Sequence, residues 1–310
     1  MKKIINPIST SILEKEINKD TFVRKTNYCN HDIYIVDYQN HPNTTMEIGR
    51  LRELSFRNAG GGTGKSYDLD EFDTREEAFY KQLIVWDPEE KKIIGGYRFI
   101  LGNDVISSSK YNNTATNNLF DFSTDFYSKT LGLTIELGRS FVQPEYQPSS
   151  GNRKAIFSLD NLWDGLGALV VDHPEIKYFF GKVTMYLDFN KKGRDLILGF
   201  MDHFFKDKDQ WISAKQPLEL HHDIGYFIEQ IQELDYKESY KILTKKLKEL
   251  NCSLPPLIAA YMNLSSSMKT FGTAMNSKFG DVEETGILIS IDDIYPEKKD
   301  RHVNTYKKVK

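Results

Sequence analysis

Residues 82–101 read QLIVWDPEEKKIIGGYRFIL. Two runs rich in apolar, β-branched and aromatic residues, 82–86 and 93–101, flank the turn-forming cluster Asp87-Pro88-Glu89-Glu90. This is the strongest hairpin signal in the chain. Toward the C-terminus, residues 133–142 (LTIELGRSFV) predict a further strand that Pro144 stops. Residues 154–171 then predict a long helix, with Ile156, Leu159, Leu162, Trp163, Leu166 and Leu169 near 3.6 spacing. Residues 178–189 (YFFGKVTMYLDF) form the nearly continuous apolar run of a buried central strand. Toward the N-terminus, residues 33–36 (IYIV) predict a strand, residues 45–58 (TMEIGRLRELSFRN) a helix ended by glycines, and residues 1–25 a short helix with a loose lead-in. Residues 195–205, 226–250 and 257–264 read as helices, the Ser- and Asn-rich stretch 103–118 as a loop, and residues 286–291 as the last strand. This order is α/β, a mixed central sheet flanked by helices. It divides into a lead-in (1–30), one elaborated domain (31–295) with a helical excursion at about 217–264, and a basic C-terminal tail (296–310).

Composition excludes several classes. In 310 residues, 39% hydrophobic and 27% charged residues match a globular chain with a real core. Lys plus Arg number 41 against 44 Asp plus Glu, so a net charge of −3 makes no trap for nucleic acid. Cys29 and Cys252 are too few for a disulfide framework or a four-thiolate zinc site and read as small buried hydrophobes. Without a signal-like or spanning apolar run, the expectation is a cytoplasmic protein. Histidines complete no metal-binding spacing, so no metal is expected; His221-His222-Asp223 reads as a polar loop. Residues 236–250 carry five Lys against two Glu, and residues 298–310 six Lys or Arg against one Asp. The plain reading is a solvated helix face and a frayed terminus. The alternative is a docking surface for an acidic carrier protein or an anionic lipid surface.

Residues 59–66 (AGGGTGKS) imitate a phosphate-binding loop, but the required first glycine is Ala59 and the loop follows a helix, not a strand. A mobile lid, with Lys65 reaching an anion, is the functional expectation, and a plain flexible loop the structural one. Around it four segments place charge on or beside strands, where it is unwelcome unless paired or used. They are Arg50, Arg52 and Arg57 with Phe56; Asp68, Asp70, Glu71 and Asp73; Arg98; and Glu136 with Arg139. Glu136 and Arg139 are three apart and would face opposite sides of an ideal strand, unless a bulge at Leu137-Gly138 brings them together. Buried Asp–Arg pairs are a structural reading of the group. A site in which arginines hold a carboxylate and carboxylates hold an amine is the functional one.

RLRELSFRNAGGGTGKSYDLDEFD, LIVWD, IIGGYRF, LFDFS (119–123), ELGRSFVQPEYQ, LWDGL and YFFGKVTMYLDF resemble the acyl-carrier-protein-dependent N-acyltransferases of ornithine- and glycine-lipid synthesis, often labelled hemolysin-like, within the GNAT superfamily. The resemblance runs from about residue 30 to 220 and resumes at LPPLIAAYMNL (254–264). It implies a GNAT-like fold and no permanently bound cofactor. Acyl carrier protein would be the partner, its phosphopantetheine thioester the co-substrate, and coenzyme A the alternative carrier. The same family is similar to acyl-homoserine lactone synthases. Their R-x-x-x-F lands on Arg52 and Phe56, their acidic pattern on Asp68, Asp70 and Asp73 (Asp replacing the first Glu), their strand arginine on Arg98 and their E-x-x-R on Glu136 and Arg139.

The resemblance thus implies Glu136 as the base near the attacking amine, with Asp70, Asp73 and Arg139 in the catalytic group. Arg52, Phe56, Asp68 and Arg98 would shape the substrate site, and Arg98 or Arg139 would read the acceptor's carboxylate. Residues 147–154 (QPSSGNRK) hold one glycine and an amide-less Pro148, which favours phosphopantetheine on a carrier over free coenzyme A. Asn152, Arg153 and Lys154 would grip its phosphate. Gly181, Val183, Met185 and Leu187 on one strand face, walled by helix 257–262, would line the acyl slot or fill a plain core. Glycine is expected as acceptor ahead of ornithine, with contact at the inner membrane surface. The rivals are a homoserine-lactone-like synthase and a non-catalytic lipid-surface protein.

Overall fold

The computed structural model describes residues 1–151 and 153–308. The expected hairpin is present as β3 (Lys81–Asp87) and β4 (Lys92–Leu101), preceded by β1 (Phe22–Lys25) and β2 (Asp32–Val36). The later strands are β5 (Phe120–Phe122), β6 (Thr134–Val142), β7 (Tyr178–Met185), β8 (Ile212–Ala214), β9 (Lys269–Asn276) and β10 (Val282–Ser290). Eight of them form one sheet in the order β1-β2-β3-β4-β6-β7-β10-β9, while β5 and β8 pair separately. Every neighbour in the large sheet is antiparallel except β6 and β7, so the sheet is mixed, as expected. The helices are α1 (Thr10–Glu16), α2 (Pro42–Asn58), α3 (Glu71–Thr74), α4 (Gly102–Ser107), α5 (Ser158–Asp172), α6 (Lys191–Phe205), α7 (Gly225–Ile231), α8 (Tyr236–Glu249), α9 (Pro256–Met262) and α10 (Pro296–His302).

Helices cover both faces. On one, Leu162, Leu166 and Leu169 of α5 and Leu196, Ile197 and Phe200 of α6 pack with Leu83, Val85, Phe99, Ile135, Val183 and Ile289. Full burial of each such side chain contributes roughly 1.5–3 kcal/mol. On the other, Leu13, Ile48, Leu51 and Phe56 of α1 and α2 cover Val36, Ile84, Trp86, Ile93 and Phe141. Farther along that face β5 and β8 cover Phe180, Phe271 and Leu288.

Two features position the site. Register between β6 and β7 runs from Thr134↔Tyr178 to Leu137↔Gly181 and ends there, leaving the remainder of each strand to diverge. Register between β4 and β6 shifts between Gly96↔Phe141 and Arg98↔Gly138, so Arg139 and Ser140 face Tyr97 alone. Arg139 has φ +50°. The expected bulge therefore exists, two residues later than Leu137-Gly138, and it returns Arg139 to the face that carries Glu136.

Several local expectations are corrected. Residues 103–118 are not a plain loop: they hold most of α4 and a 3-10 turn, Ala115–Asn118. The glycine-rich loop is tied down. Glu53 accepts from Thr63 N (2.9 Å), Thr63 Oγ1 (2.7 Å) and Gly64 N (2.8 Å), while Gly60, Gly62 and Gly64 take the positive φ that this wrap requires. The C-terminal segment is docked rather than frayed. His302 is buried and its Nδ1 lies 2.8 Å from Asp164, whose carboxylate also accepts from the amide and side chain of Asn27. Val183 and Met185 belong to the core, Leu187 lies beyond the end of β7, and the gap beside Gly181, Leu257 and Tyr261 is about 30 Å³. Val183 and Met185 thus take the plain-core alternative for that face.

Candidate active site

Three arginines and three aspartates meet under α2 in a closed alternating ring. Arg52, on α2, pairs with Asp68 (3.1 Å) and Asp73 (3.3 Å). Arg98, on β4, pairs with Asp73 (3.1 Å) and Asp70 (2.8 Å). Arg139, at the bulge, pairs with Asp68 (2.8 Å) and lies 3.8 Å from Asp70. Each arginine thus faces two aspartates and each aspartate two arginines. The local sequence explains the aspartates: Asp70 caps α3 by accepting from Phe72 N, and Asp73 reaches back to Asp70 N in a capping box. Four members are essentially buried, with Arg52 at 1%, Arg98 at 3%, and Asp68 and Asp73 at 0% exposure. An isolated buried charge costs several kcal/mol, and alternation is what offsets it here. Burial would raise the Asp68 carboxyl, but Arg139, Arg52 and Arg98 outweigh it and hold it below its ordinary value. Asp70 is also held low, its burial outweighed by Arg98, Arg139 and Arg52.

Glu136 stands apart from the ring. Its Oε1 accepts from Tyr80 Oη (2.6 Å), Thr116 Oγ1 (2.9 Å) and Thr116 N (3.1 Å). Its Oε2 is buried and takes no hydrogen bond among the described residues. Tyr80 is itself fixed, accepting from Ala115 N at 3.0 Å with the Arg98 guanidinium 4.9 Å over its ring. Burial, and next the Glu136 charge, push its hydroxyl well above the ordinary tyrosine value, so it remains a donor.

A cavity of about 220 Å³ opens where β6 and β7 diverge, lined by Glu136, Arg98, Arg139, Thr116, Phe56 and Leu257 among others. A second, of about 430 Å³, is lined by Asp68, Asp70, Glu71 and Lys65. The two meet at Arg98, Ala115, Arg139, Lys182 and Phe279. Phe56 packs edge-to-face on Phe279 (4.9 Å), over which the Arg139 guanidinium lies at 4.1 Å. From the far wall Lys182 on β7 pairs with Glu284 on β10 at 3.1 Å, and Asn276 donates to Glu284 at 3.0 Å. Burial would raise the Glu284 carboxyl, yet Lys182 and Arg139 bring it below its ordinary value.

The structure therefore places Phe56, Asp68, Asp70, Arg98, Glu136 and Arg139 on the walls of these two joined cavities, while Arg52 and Asp73 complete the ring and line neither. Of the three residues read as a phosphate grip, Asn152 and the side chains of Arg153 and Lys154 lie outside the described residues. Backbone 153–157 forms a 3-10 turn leading into α5. Sequence reasoning missed Tyr80, Thr116, Lys182 and Glu284. Tyr80 and Thr116 carry no charge and stand before a strand and in a polar loop. A lysine interrupting the apolar run YFFGKVTM was the legible signal for Lys182. Among the described residues no cluster of three or more His, Cys, Asp or Glu is arranged for a metal ion, and no helix is long and apolar enough to cross a membrane. Buried Asp195 accepts from His221 N (3.0 Å) and from His222 N (2.9 Å), and lies 2.8 Å from His222 Nδ1.

Residues 51–155 match the family model described as an acetyltransferase (GNAT) domain. The chain is 50% identical over 307 residues to a glycine N(alpha)-acyltransferase of Bacteroides thetaiotaomicron, covering 99% of this chain and 91% of that protein. It is 48% identical over 309 residues to a glycine N(alpha)-acyltransferase of Phocaeicola vulgatus, covering 99% and 94%. Solved structures of the CoA-dependent acyl-homoserine lactone synthase BjaI, with MTA and with SAM and isopentyl-CoA, superpose with a TM-score of 0.40. Their identities are 10% and 9%, and the match covers 89% of each chain. With half of its residues shared along nearly its whole length, the chain belongs to the GNAT-type amino-acid N-acyltransferase family that these two glycine N(alpha)-acyltransferases represent.

Proposed function

We propose that this protein moves an acyl group, a 3-hydroxyacyl group by the resemblance of its motifs, from a thioester donor to the α-amine of glycine. The product is an N-acylglycine, the lyso form of a glycine lipid. The observation that carries the reading is Glu136: one oxygen held by three donors, the other buried and without a hydrogen bond among the described residues, on a residue that lines the cavity where β6 and β7 part. A carboxylate held this way is oriented and still has a vacant acceptor oxygen, the requirement for a positioned base. Glycine is supported by the names of two relatives at 50% and 48% identity.

The ammonium of glycine gives one proton to Glu136 Oε2. The neutral amine attacks the thioester carbonyl, forming the C–N bond and an oxyanion, which a backbone amide of the bulged strand would stabilise. Collapse breaks the C–S bond, the thiolate takes the second amine proton, and Glu136 passes its proton to solvent. The Arg–Asp ring has no proton to move in this scheme: it fixes α2, α3, β4 and β6 around the amine.

Acyl carrier protein is the proposed donor, with coenzyme A as the alternative. The single glycine of residues 147–154, Gly151 at φ +76°, offers a pyrophosphate little beyond an isolated turn, and Asn152, Arg153 and Lys154 are the proposed phosphate contacts. Exposed Lys237, Lys241, Lys245 and Lys248 on one side of α8 would meet the inner membrane surface, into which such a product partitions. The test is thiol release and product mass from 3-hydroxyacyl carrier protein and 3-hydroxyacyl-coenzyme A, each with glycine, ornithine or no amine. Glycine-dependent release is expected, with Glu136→Gln lowering kcat by about 10²–10⁴. Release that ignores glycine, or that survives Glu136→Gln, overturns the reading.

A further inference from the structure

An α-amino acid brings a carboxylate as well as an amine, and the sequence pointed to Arg98 or Arg139 as its receptor. In the folded protein both arginines belong to the closed ring. Arg52 lines neither cavity. Arg98 commits Nη1 to Asp70 and Asp73, and its Nε is buried without a hydrogen-bond partner among the described residues. Arg139 is bracketed by Asp68 and Asp70 with Phe279 stacked beneath. A ligand carboxylate placed against either would join a set of three cations already matched by three anions, with Asp70 partly open to the same space.

Lys182 differs in its partners. Like Arg98 and Arg139 it lines both cavities, and like Arg139 it is 14% exposed, but among the described residues it pairs with one carboxylate outside the ring, Glu284 at 3.1 Å. An ammonium has three donors, so two remain for a ligand. Glu284 is shared in turn with Asn276, and the nearby Arg139 charge also acts on it. In the β6/β7 register Glu136 faces Phe180, which puts Lys182 two residues farther along β7 on the same face. With strand spacing near 4.8 Å and a rise near 3.3 Å, strands that stayed paired would put the two Cα positions about 8 Å apart, and the divergence beyond Leu137↔Gly181 widens this to a span that the two long side chains close onto one small zwitterion.

We propose that Lys182 is the carboxylate receptor of the acceptor site, its ammonium held by Glu284 until the ligand carboxylate competes for it, so that Lys182 and Glu136 hold the two ends of the amino acid. This rests on the acyltransfer reading above. The test compares glycine with glycinamide, which keeps the amine and lacks the carboxylate, in the wild type, Lys182→Met and Glu284→Gln. Wild type is expected to prefer glycine about 10- to 100-fold in kcat/KM, the range of a charge-assisted hydrogen bond. Lys182→Met should raise the glycine KM by that factor, leave kcat within a few-fold and leave glycinamide unchanged. Glu284→Gln frees Lys182 from its competing carboxylate and should lower the glycine KM.

Equal losses on both acceptors in Lys182→Met would make Lys182 structural and overturn the proposal, as would an unchanged glycine KM. If Lys182→Met does not fold, Glu284→Gln decides, and a glycine KM that rises or stays level overturns the assignment. Absence of glycine-dependent release in the wild type would remove the acyltransfer reading itself. Normal wild-type turnover with an indifferent Lys182 would remove only this one.

Discussion

Tyr80 and Thr116 deliver three of the polar contacts that define Glu136, and neither would be singled out by charge or motif. A carboxylate on a strand reads as a candidate base from its residue type alone, but which of its oxygens is free depends on donors 56 and 20 residues away. Tyr80→Phe removes one donor from Oε1 and leaves Ala115 N without its acceptor. The expected outcome is a loss of about 1–3 kcal/mol in stability and a kcat lowered on the order of tenfold, with the KM for glycine little changed, checked by denaturant unfolding and steady-state kinetics. The ring residues were readable as a group because six charges cluster in four short segments. Their pairing was not, since Asp68 could have met any of three arginines.

At the scale of elements, the decisive object is the last rung between β6 and β7. Gly181 is required there: a Cβ on it would lie 2.6 Å from the Leu137 carbonyl oxygen, inside contact distance with backbone that cannot turn aside. Gly181→Ala should therefore shift the point at which the strands part. The expected effect is a loss of about 1–3 kcal/mol and a kcat/KM falling by more than stability alone explains at temperatures well below Tm. Calorimetry and kinetics on one preparation check it. An Ala variant with wild-type kinetics would show that the fork does not locate the reaction. The apolar run of β7 was legible as a central strand, because burial on both faces leaves its mark in composition. The edge strands β1 and β9 were not, since an edge is half-exposed and its pattern blurs into that of a turn-rich segment.

For the molecule as a whole, the buried carboxylates tie stability to pH. Asp68, Asp70 and Glu284 are each held below their ordinary values of 3.8, 3.8 and 4.5 by neighbouring cations that outweigh burial. A carboxyl lowered in the folded state stabilises above its unfolded value, and that contribution is lost as pH falls toward the folded one. Stability from these groups should be level from pH 8 to 5 and decline below about 4.5. Asp68→Asn should cost about 3–5 kcal/mol at neutral pH, because Arg52 and Arg139 lose a shared partner. Thermal unfolding across pH 2–8 checks both, and a protein more stable at pH 3 than at pH 7 would contradict them. Spacing along the chain was enough to identify the α/β class, the 82–101 hairpin, the helix ahead of the glycine loop and the residue types of the site, because periodicity and turn chemistry act over a few residues. Ring closure, the fork, and the meeting of Lys182 with Glu284 from strands about a hundred residues apart arise only when the sheet assembles. Strand order and register are settled by contacts that exist in the packed core and leave no local trace in the sequence.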